Sequence, residues 1–231
     1  MRLKELESLM QDIAPFEEPK VELEQYPTGP HIAARMLYTV ANSFDEFDGQ
    51  TVIDLGCGTA MLSIGAAMLG AQHVLGVDLD DDALRIAQQN VDEYEEALPI
   101  DFLRCDVRQV ALQGRLKADT VVMNPPFGTR RKGTHTQSVN QPHNSTVCAG
   151  ADMEFLRAAF QLSRNSVYSL HKSSTREFIQ RLAERELRAT SAEVLAQLRY
   201  DLPASYKFHK QKSKDIEVDL WRFEVPPQTD S

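Results

Sequence analysis

Cysteine is scarce in this chain, and several other features are missing altogether. Three cysteines (Cys57, Cys105 and Cys148) and one tryptophan occur in 231 residues. An odd number of cysteines with no Cys-x-x-Cys pair excludes a disulfide framework and points to a reducing compartment. In such a compartment Asn144-Ser145-Thr146 is no glycosylation acceptor. No apolar run approaches the length needed to span a bilayer, and residues 1–20 are too charged for a secretory signal, so no membrane partner is expected. Basic residues are in short supply in one half only. The net charge is −9, yet residues 1–106 carry 6 Lys/Arg against 21 Asp/Glu, and residues 107–231 carry 19 against 13. An acidic half and a basic half suggest that one face meets a polyanion, which permits RNA without establishing it.

What remains is an ordinary globular composition, 42% hydrophobic and 26% charged, long enough for one α/β domain. Helical spacing of Leu3, Leu6, Leu9 and Met10 predicts a helix over 2–12. A second follows Pro30, with Ile32, Met36, Leu37 and Val40 on one face. The pattern then alternates: strand 51–55, helix 61–69, strand 73–78, helix 80–95, strands 100–105 and 119–123, helix 152–163 and strand 166–170. Such alternation implies a parallel sheet with helices on both faces. After a helix over 174–186, strands near 193–198 and 216–223 follow one another with no helix between them, which predicts an antiparallel hairpin at the sheet edge. The expected fold class is therefore α/β, a Rossmann-like methyltransferase arrangement of seven mostly parallel strands ending in that hairpin. The expected organisation is a helical extension over 1–48 that contributes to the cofactor pocket, a main domain over 49–224, and a disordered tail over 225–231. A polar insertion over 133–150 has no period and reads as a surface loop. Its His135, His143 and Cys148 match no zinc spacing, and no metal site is expected.

Asp54-Leu55-Gly56-Cys57-Gly58 closes the first strand. Gly56 and Gly58 allow a sharp turn and close approach of a ligand, although a Gly-x-Gly alone is a weak signal. The third glycine of the dinucleotide fingerprint is missing, which suits a cofactor with no pyrophosphate, such as S-adenosylmethionine. The next strand ends at Asp78, placed to accept from ribose hydroxyls. A further strand end carries Asp106, a candidate acceptor for the cofactor's adenine amine. Upstream, Glu24-Gln25-Tyr26-Pro27-Thr28 reads by itself as a loop stiffened by proline, with polar residues that serve as turn partners as readily as ligands.

The most specific signal is Asn124-Pro125-Pro126-Phe127 after the apolar strand Val121-Val122-Met123. The lone pair of an aromatic amine is delocalised into its ring, so the nitrogen is a poor nucleophile. Two acceptors, the Asn124 side-chain oxygen and the Pro125 carbonyl, can each take one of its hydrogens and let it pyramidalise. Fixed carbonyl dipoles then stabilise the positive charge that grows on nitrogen, each worth about 3 kcal/mol of barrier. The prolines hold the backbone so that no reorganisation is needed. Phe127 is expected to stack on an extruded base, worth about 1–3 kcal/mol. The bare alternative is a proline-stiffened turn after a strand.

Residues 24–28, 54–58 and 124–128, together with His171-Lys172-Ser173-Ser174-Thr175-Arg176 and the run from Leu198 through Tyr200 to Lys210, closely resemble the methyltransferase-like protein 5 family of eukaryotic small-subunit ribosomal RNA adenine-N6 methyltransferases. The resemblance spans residues 2–223. It implies S-adenosylmethionine as cofactor, with contacts at Gln25, Thr28, Gly56, Gly58, Thr59, Met61, Asp78 and Asp106, and catalysis by Asn124, Pro125, Pro126 and Phe127. It also implies N6-methyladenosine in 18S ribosomal RNA as product. A small zinc-containing activator subunit would pair with the sheet edge near 100–105, and the family resemblance implies action in nucleus and cytoplasm. The insertion after Lys132, and Thr59 where relatives can carry Cys, depart from the family pattern.

Three basic clusters are candidates for RNA contact. One is Arg130, Arg131 and Lys132 after the catalytic tetrapeptide. The second is Lys172 with Arg176. The third is Tyr206, Lys207, Phe208, His209 and Lys210, where cations interleave with aromatics. Two other classes remain open: an amine methyltransferase acting on DNA adenine or on a protein glutamine, and a non-catalytic RNA-binding assembly factor. A glutamine enzyme generally carries Tyr where this chain has Phe127. The survival of Asn124 and Asp78 argues against a relic site.

Overall fold

The computed structural model describes residues 1–112, 114, 116–127, 150–203 and 213–227. Helices α1 (Leu3–Met10) and α2 (Pro30–Phe44) precede β1 (Thr51–Leu55), α3 (Met61–Met68), β2 (His73–Asp78), α4 (Asp81–Asp92) and β3 (Ile100–Arg104). Then come α5 (Val107–Leu112), β4 (Ala118–Met123), α6 (Ala151–Leu162), β5 (Ser163–Lys172), α7 (Arg176–Arg181), β6 (Ser191–Pro203) and β7 (Ser213–Glu224). The seven strands form one sheet in the order β3-β2-β1-β4-β5-β7-β6. Neighbours from β3 to β5 are parallel, while β7 runs antiparallel to both β5 and β6. The expected class, a mostly parallel sheet ending in an antiparallel hairpin, is the one observed.

The central strands read as unbroken apolar runs because both faces are covered. Four of the five residues of β1 are buried, and five of the six of β4. One face carries α1 to α4 through Leu6, Met10, Leu37, Ile64 and Ala87. The other carries α5, α6 and α7 through Val110, Leu156 and Ile179. Residues 1–48 are thus part of the main core: Leu6, Met10 and Ile13 pack in one cluster with Val52 and Val74.

Several boundaries differ from the sequence reading. The hairpin strands run to 13 and 12 residues, because their ladder continues through polar positions such as Arg199 and Glu217 where apolar character has lapsed. The segment over 173–186 is a 3-10 turn, then α7, then a π-helical turn over Leu182–Glu186. Helix α5, six residues long, is too short to show a period and was not expected. Val225 does not belong to a disordered tail: it is buried, and its N–H donates to the Asn165 carbonyl at 2.8 Å. Residues 133–149 of the insertion lie outside the described residues.

A polar knot ties α2 to the hairpin. Glu46, just beyond α2, accepts from Arg222 Nη2, Ser166 Oγ and the Tyr168 hydroxyl, each at 2.6 Å. The Arg222 guanidinium also lies 4.4 Å from the centre of the Phe44 ring. Arg222 and Glu46 are only 11% and 13% exposed, so the charges lean on one another rather than on water. Removing one partner of such a pair leaves the other charge uncompensated, at a typical cost of about 3–5 kcal/mol. Replacing Glu46 with Ala is therefore expected to lower the free energy of unfolding by about 3 kcal/mol, read from urea denaturation. A loss below about 1 kcal/mol, the size of an exposed pair, would show that the knot is held by packing alone.

Candidate active site

A cleft open at its mouth, with about 880 Å3 of empty space when the solvent at that mouth is included, lies beyond the C-terminal ends of β1, β2 and β4, with the β3–α5 turn on its rim. Parallel strands bring their C-terminal ends to one side, which is why residues distant in sequence meet there. The floor is the β1–α3 turn. Gly56 and Gly58 have φ of +71° and +55°, a region L-residues rarely adopt. A Cβ on Gly56 would meet the Phe155 ring at 2.8 Å, and one on Gly58 the Phe16 ring at 2.8 Å. Both rings line the cleft, so the glycines let two aromatic walls close on the turn.

Asp78 ends β2. Its Oδ2 accepts from Gly58 N at 2.9 Å and its Oδ1 from Asp80 N at 3.0 Å. Burial raises its pKa despite those bonds. Below the turn, Asp54 is 1% exposed, with Oδ2 accepting from Ser63 Oγ at 2.6 Å and Oδ1 without a partner among the described residues. Burial pushes its carboxyl up to about 7. Asp106 also lines the cleft, but Arg108 grips it with Nε at 2.9 and 3.1 Å and with a further bond from Nη2. That grip holds the Asp106 carboxyl below its ordinary range.

Residues 16–28 form the opposite wall. Phe16, Leu23, Glu24, Gln25 and Tyr26 line the cleft. The Gln25 side chain is a clamp: its Oε1 accepts from Lys20 N at 2.8 Å and its Nε2 donates to Asp80 Oδ2 at 2.7 Å. Lys20 also pairs with Asp80 and Asp82, which fastens this segment to the start of α4. Burial alone would raise the Asp80 pKa, but the bonds from Lys20 and Gln25 outweigh it and hold it low.

Asn124, beyond β4, also lines the cleft and is bonded to the end of this segment. Its Nδ2 donates to Thr28 Oγ1 at 2.8 Å and to the Tyr200 hydroxyl at 3.1 Å. Its Oδ1 is buried and has no partner among the described residues. Pro126 lines the cleft, and Pro125 is buried.

The other residues singled out from the sequence fall as follows. Thr28 stands behind Asn124 and is not on the cleft surface. Thr59 and Met61 are buried at the entry to α3 and also stay off that surface; the Thr59 carbonyl accepts from Asn90 Nδ2 at 2.9 Å. Phe127, expected to stack on a base, is instead 7% exposed and meets the Tyr200 ring edge to face, with centroids 5.8 Å apart. It packs with the core because its apolar ring gains more there than at an open rim. Arg176, expected to contact phosphate, makes a bidentate pair with the buried Asp219, both N···O distances 2.7 Å. A buried carboxylate holds a guanidinium more firmly than an exposed phosphate contact would need. Lys172 ends β5 and is half-buried. Arg130, Arg131, Lys132, Tyr206, Lys207, Phe208, His209 and Lys210 lie outside the described residues. Among the described residues no group of His, Cys, Asp and Glu is placed to hold a metal, and no helix is long and apolar enough to cross a membrane.

Sequence reasoning missed Tyr200, Arg108, Phe16 and Phe155 as parts of the site. Tyr200 is an alternating apolar position of β6, and nothing in its neighbours marks it as a partner of Asn124, 76 residues away.

Asp54 carries a pH signature. Its native pKa, about 7, lies above the ordinary 3.8, so the native state keeps its proton longer than the unfolded chain. Stability then falls as pH rises between those values and levels off above the upper one. Asp54→Asn, which keeps an acceptor for Ser63, is expected to shrink the drop in Tm between about pH 5 and pH 8. Thermal melts across that range check it, and an unchanged slope would mean that Asp54 is ionised throughout.

With this geometry in view, the chain was compared with known proteins. The family model described as Ribosomal protein L11 methyltransferase (PrmA) matches residues 25–125. The chain is 52% identical over 224 residues to rRNA N(6)-adenosine-methyltransferase METTL5 of Danio rerio, covering 96% of this chain and 99% of the relative. It is 48% identical to the Drosophila melanogaster rRNA N(6)-adenosine-methyltransferase Mettl5, covering 97% of each. Among solved structures, the Pyrococcus horikoshii protein PH1948 matches with a TM-score of 0.76 at 31% identity, covering 97% of this chain and 96% of that one. Shared sequence along nearly the whole length, on one sheet topology, places the chain in the rRNA N(6)-adenosine-methyltransferase METTL5 family.

Proposed function

We propose that the chain transfers a methyl group from S-adenosylmethionine to the N6 amine of an adenosine in ribosomal RNA, with 18S RNA as the substrate. The single observation that carries this reading is that Asn124, which lines the cleft, has its Nδ2 spent on Thr28 and Tyr200 and its buried Oδ1 left as an acceptor with no partner among the described residues. An unmet buried acceptor costs about 1–3 kcal/mol, and an amino substrate supplies the missing donor.

The cleft suits this cofactor. Bound there, S-adenosylmethionine supplies a methyl group made electrophilic by its sulfonium. Aromatic walls from Phe16 and Phe155 match a flat base and apolar chain, and Glu24, Asp78, Asp106 and Glu154 favour a cation. Asp78 has lone pairs left for ribose hydroxyls after its two backbone bonds. The turn lacks the third glycine of the dinucleotide fingerprint, which suits a cofactor without a pyrophosphate. Asn124 and the Pro125 carbonyl hold and orient the amine, Pro125 and Pro126 keep that backbone rigid, and fixed dipoles stabilise the charge growing on nitrogen. No base is required before transfer, because the proton leaves after nitrogen has become cationic. DNA-adenine or glutamine methylation, and a purely RNA-binding role, are the competing readings; the relatives named for ribosomal RNA adenosine favour the first over these.

A zinc-containing activator subunit pairs with β3 on this reading. That strand ends the sheet, bonds only to β2 among the described strands, and leaves Leu103 37% exposed. An uncovered apolar edge is a template for another strand. Ribosome assembly and use would place the pair in nucleus and cytoplasm.

Two experiments test this. Asn124→Ala in the full chain is expected to lower methyl transfer by at least about 100-fold with little change in RNA affinity. Isotopic transfer onto small ribosomal subunits, followed by nucleoside mass spectrometry, reads it, and N6-methyladenosine made at the parent rate would overturn the role of Asn124. Leu103→Asp is expected to abolish co-purification with the activator while leaving the Tm of the single chain unchanged. Retained co-purification would move the interface elsewhere.

A further inference from the structure

The hydrogen bonds behind Asn124 have a direction, and it is set at one end. The Pro27 carbonyl carries no hydrogen and can only accept. The Tyr200 hydroxyl lies 3.0 Å from it and donates its one proton there. With that proton committed, the phenolic oxygen offers Asn124 only lone pairs, so the amide group facing it must be the NH2, at 3.1 Å. The second amide hydrogen goes to Thr28 Oγ1 at 2.8 Å. Both amide hydrogens are then used, and Oδ1 is the atom left over, buried and with no partner among the described residues.

An asparagine amide can turn over at little cost where its neighbours accept and donate equally well. Thr28 alone does not choose between the two orientations, since a hydroxyl can do either. Tyr200 breaks the tie. A turned amide would set Oδ1 against the lone pairs of Tyr200 and leave NH2 facing an amino substrate, donor against donor. Burial pushes the Tyr200 hydroxyl up to about 12, so the proton given to Pro27 stays in place at physiological pH.

Resting on the methyl-transfer reading, we propose that Tyr200 is a positioning residue that sets the polarity of the Asn124 amide, with Pro27 as the fixed end of the chain, so that the amide oxygen is reserved for the substrate's amino group. Tyr200 comes from the hairpin and Pro27 from the N-terminal segment. The orientation of the catalytic amide is thereby tied to two segments far from it in sequence, the edge strand β6 of the sheet and the N-terminal segment.

The test is Tyr200→Phe in the full chain with its activator subunit, assayed for methyl transfer to ribosomal RNA. The expected result is a fall in kcat of tenfold or more. KM for RNA and Kd for S-adenosylmethionine should stay within about twofold, because binding does not use the amide's direction. In an Asn124→Ala background the Tyr200 change should have no further effect. A variant with parent kcat, or one whose whole loss lies in KM or cofactor affinity, overturns the proposal. If Tyr200→Phe does not fold, Thr28→Val, which leaves Tyr200 to set the amide by itself, is expected to keep kcat within about threefold of the parent, and a loss of tenfold or more would overturn Tyr200 as the residue that sets the polarity. A parent that methylates while Tyr200→Phe matches it sinks the positioning role alone. A parent that transfers nothing to any adenosine sinks the methyl-transfer reading as well.

Discussion

Strand β7 lies between β5 and β6 and runs against both, and β6 reaches the sheet only through it among the described strands. Tyr200 sits on β6, so its distance to Asn124 depends on that pairing. The lock is both a hydrogen-bonded register and electrostatic. Arg222 and Asp219 of β7 are tied to Glu46 and Arg176, that is, to the turn just beyond α2 and to the start of α7. Burial alone would raise the Asp219 pKa, yet bonds from Arg176 and Ser173 keep it low. A strand held at these two charged positions cannot slip by one residue without turning Trp221 and Phe223 to the opposite face.

The N-terminal segment is the second dependency. It serves as a wall of the cleft, fastened by Lys20 and Gln25 to Asp80 at the start of α4. Ala14 extends the tie: its N–H donates to Asn90 Oδ1 at 2.9 Å, and its carbonyl accepts from Asn90 Nδ2 at 3.1 Å. A side-chain amide that satisfies both groups of one backbone residue fixes an irregular stretch as firmly as a strand pairing does. That rigidity carries Pro27 and Thr28 to Asn124.

Electrostatically the cleft is a balance of carboxylates. Asp54 and Asp78 are buried and have their pKa values raised, while Asp80 and Asp106, each gripped by a cation, have theirs lowered. A site with both kinds welcomes a cationic ligand and still folds, because Asp80 and Asp106 are already neutralised within the protein. Arg108, with Glu154 3.9 Å away, spans from α5 to α6 at the rim.

The sequence by itself determined the sheet and its chemistry-bearing strand ends. Apolar runs with acidic or glycine termini at residues 54–58, 78 and 106, and the Asn-Pro-Pro-Phe segment, are local patterns, and local patterns survive without coordinates. Only the tertiary structure decided which of these groups are free. Asp106 and Arg176 looked available and are already paired; Phe127 was expected to stack on a base and its ring packs edge to face with Tyr200; Gln25 lines the cleft but spends its amide on Lys20 and Asp80. Tyr200 could not be found at all, because a hydroxyl's partner is chosen by where two strands and a loop come to rest, and hydrogen bonding across 173 residues, as from Tyr200 to Pro27, leaves no periodic trace in the chain.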